Sequence, residues 1–272
     1  MPLEEYTLYQ DFALLYDHFM YDVDYPAWAR YLAGILERIG LRDPCSVLDA
    51  ACGTGSISIA LAQMGYSVTG SDASANMLEQ AQAKARKSGL AVPFVQQDMR
   101  SIALHKPVSV INSTLDGVNY LLKPADVRAF FSSTLCALEP GGVLLFDVSS
   151  YFKLRYVLGY NCFGEDNGDE AYIWRNLFDE PTGMLHSDLT LFRRRGDLFE
   201  RFFEQHTQAA HHTSDLMRML EDCGFTEICC FGHLTFDPPP ENCERIQFAA
   251  RKPLDFCMSA IPGAAFVNGA TI

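Results

Sequence analysis

This 272-residue chain lacks several features, and each absence removes a class of explanation. It has no continuous apolar stretch of the roughly 20 residues that a membrane-spanning helix needs. Met1 to Gln10 carries no basic region followed by an apolar run, so it does not read as a secretory signal, and a cytoplasmic protein is expected. Positive charge is scarce. Lys and Arg number 21 against 34 Asp and Glu, a formal net charge of -13, whereas nucleic-acid affinity comes largely from neutralising phosphates with Lys and Arg. Nucleic acid is therefore not an expected partner. The one notable basic cluster, residues 193–195, precedes Gly196-Asp197 between two alternating runs and reads as a solvated hairpin end. The nine cysteines are an odd number with no C-x-x-C pair, and Cys229-Cys230 are adjacent, a poor tetrahedral arrangement. Reduced thiols in a reducing compartment fit best, with no metal centre expected.

With 49% hydrophobic and 20% charged residues, the composition is that of a soluble globular protein, long enough for one α/β domain with an added lobe. The chain is organised around Ser46-Val47-Leu48-Asp49-Ala50-Ala51-Cys52-Gly53-Thr54-Gly55-Ser56. Val47 and Leu48 belong to an apolar run that stops at small residues, and Ile57, Ile59, Ala60, Leu61 and Met64 follow at helical spacing. Strand thus passes through a tight turn into a helix. Gly53 and Gly55 have no Cβ, so a ligand can approach the backbone there closely. Asp49 ends this strand and Asp72 ends the next strand-like run, where a carboxylate is suited to accept hydrogen bonds from ribose hydroxyls. The dinucleotide fingerprint is not met, because the third glycine position is Ser58, and there is no Walker A lysine.

Upstream, residues 7–20 carry Leu8, Phe12, Leu15 and Phe19 at helical spacing, and Asp24-Tyr25-Pro26 starts a second helix ending at Gly40. From 46 onward strand-like and helical runs alternate: 46–49, 56–64, 67–71, 75–88, 92–96, 108–112, 124–138 and 142–148. Such alternation argues for a parallel sheet with helices on both faces. Leu138 to Gly142 reads as a helix end and a tight turn before the fifth strand. Residues 150–159 look helical. Then 171–178, 184–194 and 198–208 are three alternating runs separated by turn residues, the pattern of a β-meander. A helix over 213–222 and strands over 226–232 and 244–251 close the fold. The expected organisation is an N-terminal helical cover (1–40), a ligand-binding α/β domain (41–150 and 210–252), an inserted meander lobe (151–209) and a C-terminal tail (253–272).

The D-A-A-C-G-T-G turn from Asp49 to Gly55, with Asp72 closing the second strand, resembles the nucleoside loop of class I S-adenosylmethionine (SAM)-dependent methyltransferases. Ala51, where many relatives carry Gly, resembles the glycine N-methyltransferase-like variant. Tyr16-Asp17-x-Phe19-Met20 and Asp22-Val23-Asp24-Tyr25-Pro26-x-Trp28 are similar to an N-terminal segment that helps cover the SAM site in a subgroup of bacterial small-molecule methyltransferases. Asp116, Asn119, Tyr120 and Leu121 match that subgroup's Asp-x-x-Asn-Tyr-Leu, and the Pro-Pro-Tyr or Pro-Pro-Phe motif of DNA-base amino methyltransferases is absent. The resemblance implies a Rossmann-like fold: a mainly parallel seven-stranded sheet with helices on both faces, plus a small antiparallel meander lobe.

It also implies SAM as cofactor, contacted by Asp49, Ala51, Gly53, Gly55, Asp72, Ala73, Met77, Asp98, Met99 and Ser113, with Tyr16 and Trp28 from the cover. Asp98 is the position that commonly meets the adenine amino group, and its alternative reading is a helix N-cap. The acceptor is expected to be a small molecule with an N or O nucleophile, near Tyr9, Asn119, Tyr120, Trp174 and Arg175. If the acceptor has a proton to lose, a base is useful, and His206, Asp116 and Asp147 are the candidates. His206 matches a histidine common in the subgroup's last meander strand. A monomer or homodimer is expected. Two other readings remain at this point: a non-catalytic SAM-binding module, and an NAD-linked oxidoreductase on a similar sheet.

Overall fold

The computed structural model describes residue 13 and residues 16–41 and 44–256. Of the helix expected over 7–20, the turn α1 (Tyr16–Phe19) is described, and Tyr9 lies outside the described residues. The helix α2 (Tyr25–Arg38) starts where Asp24 and Pro26 direct it: the Asp24 carboxylate accepts from Ala27 N at 2.8 Å, and proline sits in the first turn.

The alternating runs form β1 (Ser46–Ala50), α3 (Ser56–Gln63), β2 (Ser67–Asp72), α4 (Ala75–Lys87), β3 (Phe94–Gln96), β4 (Val108–Ser113), α5 (Pro124–Ala137) and β5 (Leu138–Ser149). The closing elements are α6 (Thr213–Cys223), β10 (Thr226–Gly232) and β11 (Arg245–Arg251). They build one seven-stranded sheet in the order β10-β11-β5-β4-β1-β2-β3, in which the β5–β11 and β11–β10 pairings are antiparallel and the other four are parallel. The Rossmann-like methyltransferase sheet is therefore present.

Strand periodicity explains its two cores, because adjacent residues on a strand point to opposite faces. Val47, Val110 and Leu145 pack under α2 and α3 with Leu32 and Ile35, while Leu48, Ile111 and Phe146 pack under α5 and α6 with Phe130 and Leu216. Phe146 stacks on Phe248 of β11 at 4.7 Å between ring centroids.

Two local expectations change. The tight turn expected at Glu139 to Gly142 is a bulge within β5: Leu138 pairs with Val108, and pairing resumes at Val143 opposite Val110. The meander has four strands rather than three: β6 (Cys162–Asp166), β7 (Glu170–Asp179), β8 (Met184–Arg195) and β9 (Leu198–Ala209). Its extra strand, β6, is polar and mostly exposed, and it joins through backbone pairing of Cys162–Asp166 with Ala171–Arg175. Residues 153–158 form a π-helical turn leading into this sheet. The Arg193–Arg195 end is a solvated hairpin whose guanidiniums pair with Asp169 and Glu200.

At Gly55 both conformation and space require glycine. Its φ is +73°, and an added Cβ would sit 2.9 Å from Ala81 Cβ and from the Phe94 ring. Left-handed strain of about 1–2 kcal/mol and overpacking of about 1–3 kcal/mol add. Gly55→Ala is expected to lower unfolding free energy by roughly 2–5 kcal/mol in urea denaturation; a loss below about 1 kcal/mol would contradict this packing.

Candidate functional site

Strands β1 and β4 lie side by side at the centre of the sheet, and the chain leaves them toward opposite halves. In open α/β sheets, such a switch point at the carboxyl edge is where ligands bind. A cleft opens there, lined by the β1–α3 turn (Ala51, Gly53, Thr54, Ser56), by Thr114 and Leu115 after β4, and by Tyr16 and Tyr25 from the cover. Ala51 and Gly53 both take φ of +54°, and a Cβ on Gly53 would meet nothing within 4 Å. The turn thus leaves open space above backbone that a ligand can approach. Gly55 caps α3 without a side-chain hydrogen bond, so the first-turn amides of that helix favour an anionic group.

Carboxylates at successive strand ends hold this turn. Asp49 is 2% exposed, accepting from Ser58 Oγ at 2.5 Å and from Asn112 Nδ2 at 2.7 Å. Burial raises its pKa to about 6, against the lowering effect of those two hydrogen bonds. Asp72 accepts from Gly53 N at 2.9 Å and Ser74 N at 2.8 Å, tying the end of β2 to the glycine turn. Asp98 caps the short 3-10 turn Met99–Ser101 through Arg100 N at 2.8 Å, and also pairs with the Arg100 guanidinium at 2.6 Å. Ala73 lends its carbonyl to Gln96 Nε2 at 2.8 Å, and Met77 and Met99 are buried.

The cover is fastened to the turn by a network that the sequence did not reveal. Thr54 Oγ1 donates to Asp17 Oδ1 at 2.6 Å, and Lys84 of α4 donates to Thr54 Oγ1 at 2.9 Å and Ser56 Oγ at 2.7 Å while forming an ion pair with Asp17. Tyr16 then spans two regions. It lines the cleft, packs against Leu191 of the meander as Leu189 and Phe202 do, and has its hydroxyl pKa raised by burial and by nearby Tyr25, Tyr120 and Asp116.

Other expected site residues sit elsewhere. Trp28 is buried against His233 and beneath the Arg245 guanidinium, within the α2 core rather than on the glycine turn. The Ser113 hydroxyl is fully buried close to Gly117, whose added Cβ would sit 2.8 Å from it. Asn119 has no exposed surface: it donates to Ser149 O and Ala209 O and accepts from Ser149 N, so it braces the 117–120 turn against β5 and β9 instead of facing an acceptor. On β7, alternation puts Trp174 on the inner meander face and Arg175 on the exposed outer face, away from the cleft.

Asp116 and Asp147, expected as candidate bases, are instead held by Arg245. Its Nη1 donates to Asp116 Oδ1 at 2.5 Å and bonds Asp147 Oδ2, and Nη2 reaches Asp116 Oδ2 at 3.2 Å. Ser149 Oγ also donates to Asp116, and Leu115 N donates to Asp147 Oδ1 at 2.6 Å. Burial works to raise both carboxyls. Arg245, Lys153 and Ser149 outweigh it at Asp116, which titrates lower than usual, whereas burial prevails at the fully enclosed Asp147. His206 remains, on the inner face of β9: Nδ1 lies 3.3 Å from Tyr120 Oη and Nε2 lies 3.3 Å from Glu204 Oε2. Glu204 and His206 are 9% and 8% exposed, enclosed enough for the contact to be only weakly screened.

Two measurements test this construction. The native pKa of Asp49 lies above the unfolded value near 4, so the folded state binds more protons between about pH 4 and 6, and this group's contribution to stability falls as pH rises through that window. Asp49→Asn, in which Ser58 can turn to accept, is expected to be more stable than the parent by up to about 3 kcal/mol above pH 6, the difference vanishing below about pH 4. A difference independent of pH would contradict the burial argument. Arg245→Leu leaves two buried carboxylates uncompensated and is expected to cost about 3–5 kcal/mol, with Asp147→Asn in the same chain recovering part of it.

Comparison with known proteins agrees with this geometry. A family model described as a methyltransferase domain matches residues 47–142, the span from β1 to β5. The chain is 34% identical over 248 residues, covering 90% of it and 99% of the relative, to a Geobacillus sp. (strain WCH70) protein, and 35% identical over 246 residues to YqeM of Bacillus subtilis (strain 168), covering 90% and 97%; both carry the name "Putative methyltransferase". Among solved structures, an S-adenosylmethionine-dependent methyltransferase from Clostridium acetobutylicum ATCC 824 superposes with a TM-score of 0.82 at 28% identity, covering 90% of this chain and 99% of that one. The glycine turn at a sheet switch point and the near full-length match to these relatives together establish that the chain belongs to the class I SAM-dependent methyltransferases, with SAM as its cofactor.

Proposed function

We propose that the chain methylates a small molecule through a nitrogen or oxygen nucleophile, with the acceptor lying between the glycine turn and the inner face of the meander. The observation that carries this is Tyr16, one ring shared by the cofactor cleft and the meander cluster centred on Leu191. The polar groups next to it favour a proton-bearing acceptor over a phosphate backbone: Tyr120, His206 and Glu204 lie on that side, and Asp22 and Glu165 are near Tyr172.

The residues fit the cofactor. Open space over Gly53, the cleft walls at Ala51, Thr114 and Leu115, and carboxylates at the ends of β1, β2 and β3 suit a molecule with an aminoacyl end, a ribose and a base. Asp72 would take the ribose, keeping acceptor capacity beside its present hydrogen bonds, and Asp98, whose two oxygens now accept from the Arg100 amide and guanidinium, would meet the base by exchanging one of those contacts. When bound, SAM supplies a methyl group already activated by its sulfonium. The chain's part is then orientation, which alone is worth on the order of 7–11 kcal/mol for two reactants held in near-attack geometry. Tyr16, with the Asp17–Lys84 pair beside it, covers the cleft, and His206 supplies the base.

A screen with SAM labelled in its methyl group, against metabolite and macromolecule fractions, tests the acceptor class, and label is expected in the metabolites. Label chiefly in RNA or protein would overturn the small-molecule reading. SAM binding with no transfer to any fraction would favour a non-catalytic sensor or scaffold. In parallel, Asp72→Ala is expected to weaken SAM binding at least tenfold by calorimetry, through loss of its ribose contact and of the Gly53 brace.

A further inference from the structure

Asp116 and Asp147 are committed to Arg245, which leaves one titratable assembly of a different kind at the acceptor side. Glu204 and His206 stand two residues apart on β9 and so share its inner face, enclosed between the meander and the 117–120 turn that ends in Tyr120. The three groups run in series: Glu204 Oε2 is 3.3 Å from His206 Nε2, and His206 Nδ1 is 3.3 Å from Tyr120 Oη, with the rings of Tyr120 and His206 edge to face at 6.1 Å.

Deepening the proposed function and resting on it, we infer that Glu204, His206 and Tyr120 form a proton relay for the acceptor, in which Glu204 is a positioning residue that fixes the tautomer of His206 and Tyr120 is the group that meets the acceptor. The Glu204 carboxylate lies 3.3 Å from Nε2 without the alignment of a hydrogen bond, so it acts on the ring through its charge: a negative charge beside Nε2 favours the proton there and leaves the Nδ1 lone pair toward Tyr120, whose hydroxyl then donates to it. With SAM bound, the bond from the methyl carbon to the acceptor nitrogen or oxygen would form as the carbon–sulfur bond breaks, its electron pair staying on the departing thioether, and the acceptor's N–H or O–H bond would break. That proton passes to Tyr120 Oη, and the proton Tyr120 held passes to His206 Nδ1. The imidazolium so formed rests against the Glu204 carboxylate, and no oxidant or further co-reactant is needed. The Asn119 brace supports the arrangement: its bonds to Ser149 O and Ala209 O hold the Tyr120 turn against the end of β9, the strand that carries His206 and Glu204. Tyr16 lines the cleft at the glycine turn and feels the charge of Tyr120 and Asp116, so the relay and the turn are neighbours.

The test uses the full chain labelled with 15N-histidine, the His206 signals being identified by their loss in His206→Gln. Long-range proton–nitrogen correlation is expected to show neutral His206 as the Nε2–H tautomer, and Glu204→Gln to abolish that preference. Transfer of labelled methyl from SAM into the metabolite fraction is expected to fall roughly 10²-fold in Glu204→Gln, the scale of a general-base contribution, with SAM affinity by calorimetry unchanged. Tyr120→Phe is expected to lose transfer to a similar extent while keeping the Nε2–H tautomer, which separates the relay from a packing role and serves if the Glu204 variant folds poorly. An Nδ1–H tautomer in the parent, a tautomer indifferent to Glu204→Gln, or full transfer in Tyr120→Phe would overturn the relay. If the parent binds SAM yet labels no metabolite, the small-molecule reading fails, and the tautomer measurement alone decides the relay.

Discussion

A single guanidinium ties the ends of β5 and β11 to the turn after β4. Arg245 enters at the start of β11, opposite Ser149 at the end of β5, and lies between Asp147 of β5 and Asp116 of the turn after β4. A buried cation is costly unless paired, and two carboxylates with their own backbone and hydroxyl donors meet that requirement. The consequence is local order in an irregular segment: Leu115 and Asp116 have φ of +67° and +72°, a conformation non-glycine residues rarely take, and the amide of Leu115 is held by Asp147. That same segment supplies Thr114 and Leu115 to the cleft above the glycine turn and leads into the turn carrying Tyr120. One wall of the cleft and the turn that presents Tyr120 therefore hang from one ion cluster.

The roof depends on a second, smaller cluster. Lys84, Asp17, Thr54 and Ser56 draw together α4, α1 and the glycine turn, so the element that covers the cleft is bonded to the loop that the ligand approaches. The turn itself is constrained from below, because Gly55 and Gly70 both face the Phe94 ring at distances no Cβ tolerates. Gly53 is held by its left-handed conformation and by the Asp72 carboxylate at its amide, and the space where a Cβ would stand is open. The two glycines of one motif thus have different physical duties: one lets the helix pack, and the other lets a ligand in.

Much of this was legible in the sequence because it is local. Apolar periodicity located the sheet's strands and helices, and the change from small residues to helical spacing located the glycine turn. What depends on pairing between distant segments was not legible. Nothing near Arg245 in sequence announces a carboxylate partner, since its neighbours at the site, Asp116 and Asp147, arrive through strand order and register. Strand β6 escaped because its polar sequence lacks alternation and it is recruited by backbone pairing alone. Asn119 read as an acceptor contact because it is a polar residue in a family-like motif, yet its three hydrogen bonds make it part of the frame. Arg175 could have been separated from Trp174 by strand alternation, which turns neighbours to opposite faces. Glu204 and His206, two apart on one strand, were legible as sharing a face, though not as meeting Tyr120 there.

The central claim is that the edge of β1 and β4, roofed by Tyr16, is where SAM lies, with the relay side of the meander next to the transferred group. A crystal structure of the full chain with S-adenosylhomocysteine bound tests it most directly. The ligand is expected against Gly53, with its ribose within hydrogen-bonding distance of Asp72 and its sulfur turned toward Tyr16 and Tyr120. A ligand bound away from the Gly53 turn, or one whose sulfur faces away from the meander, would contradict it.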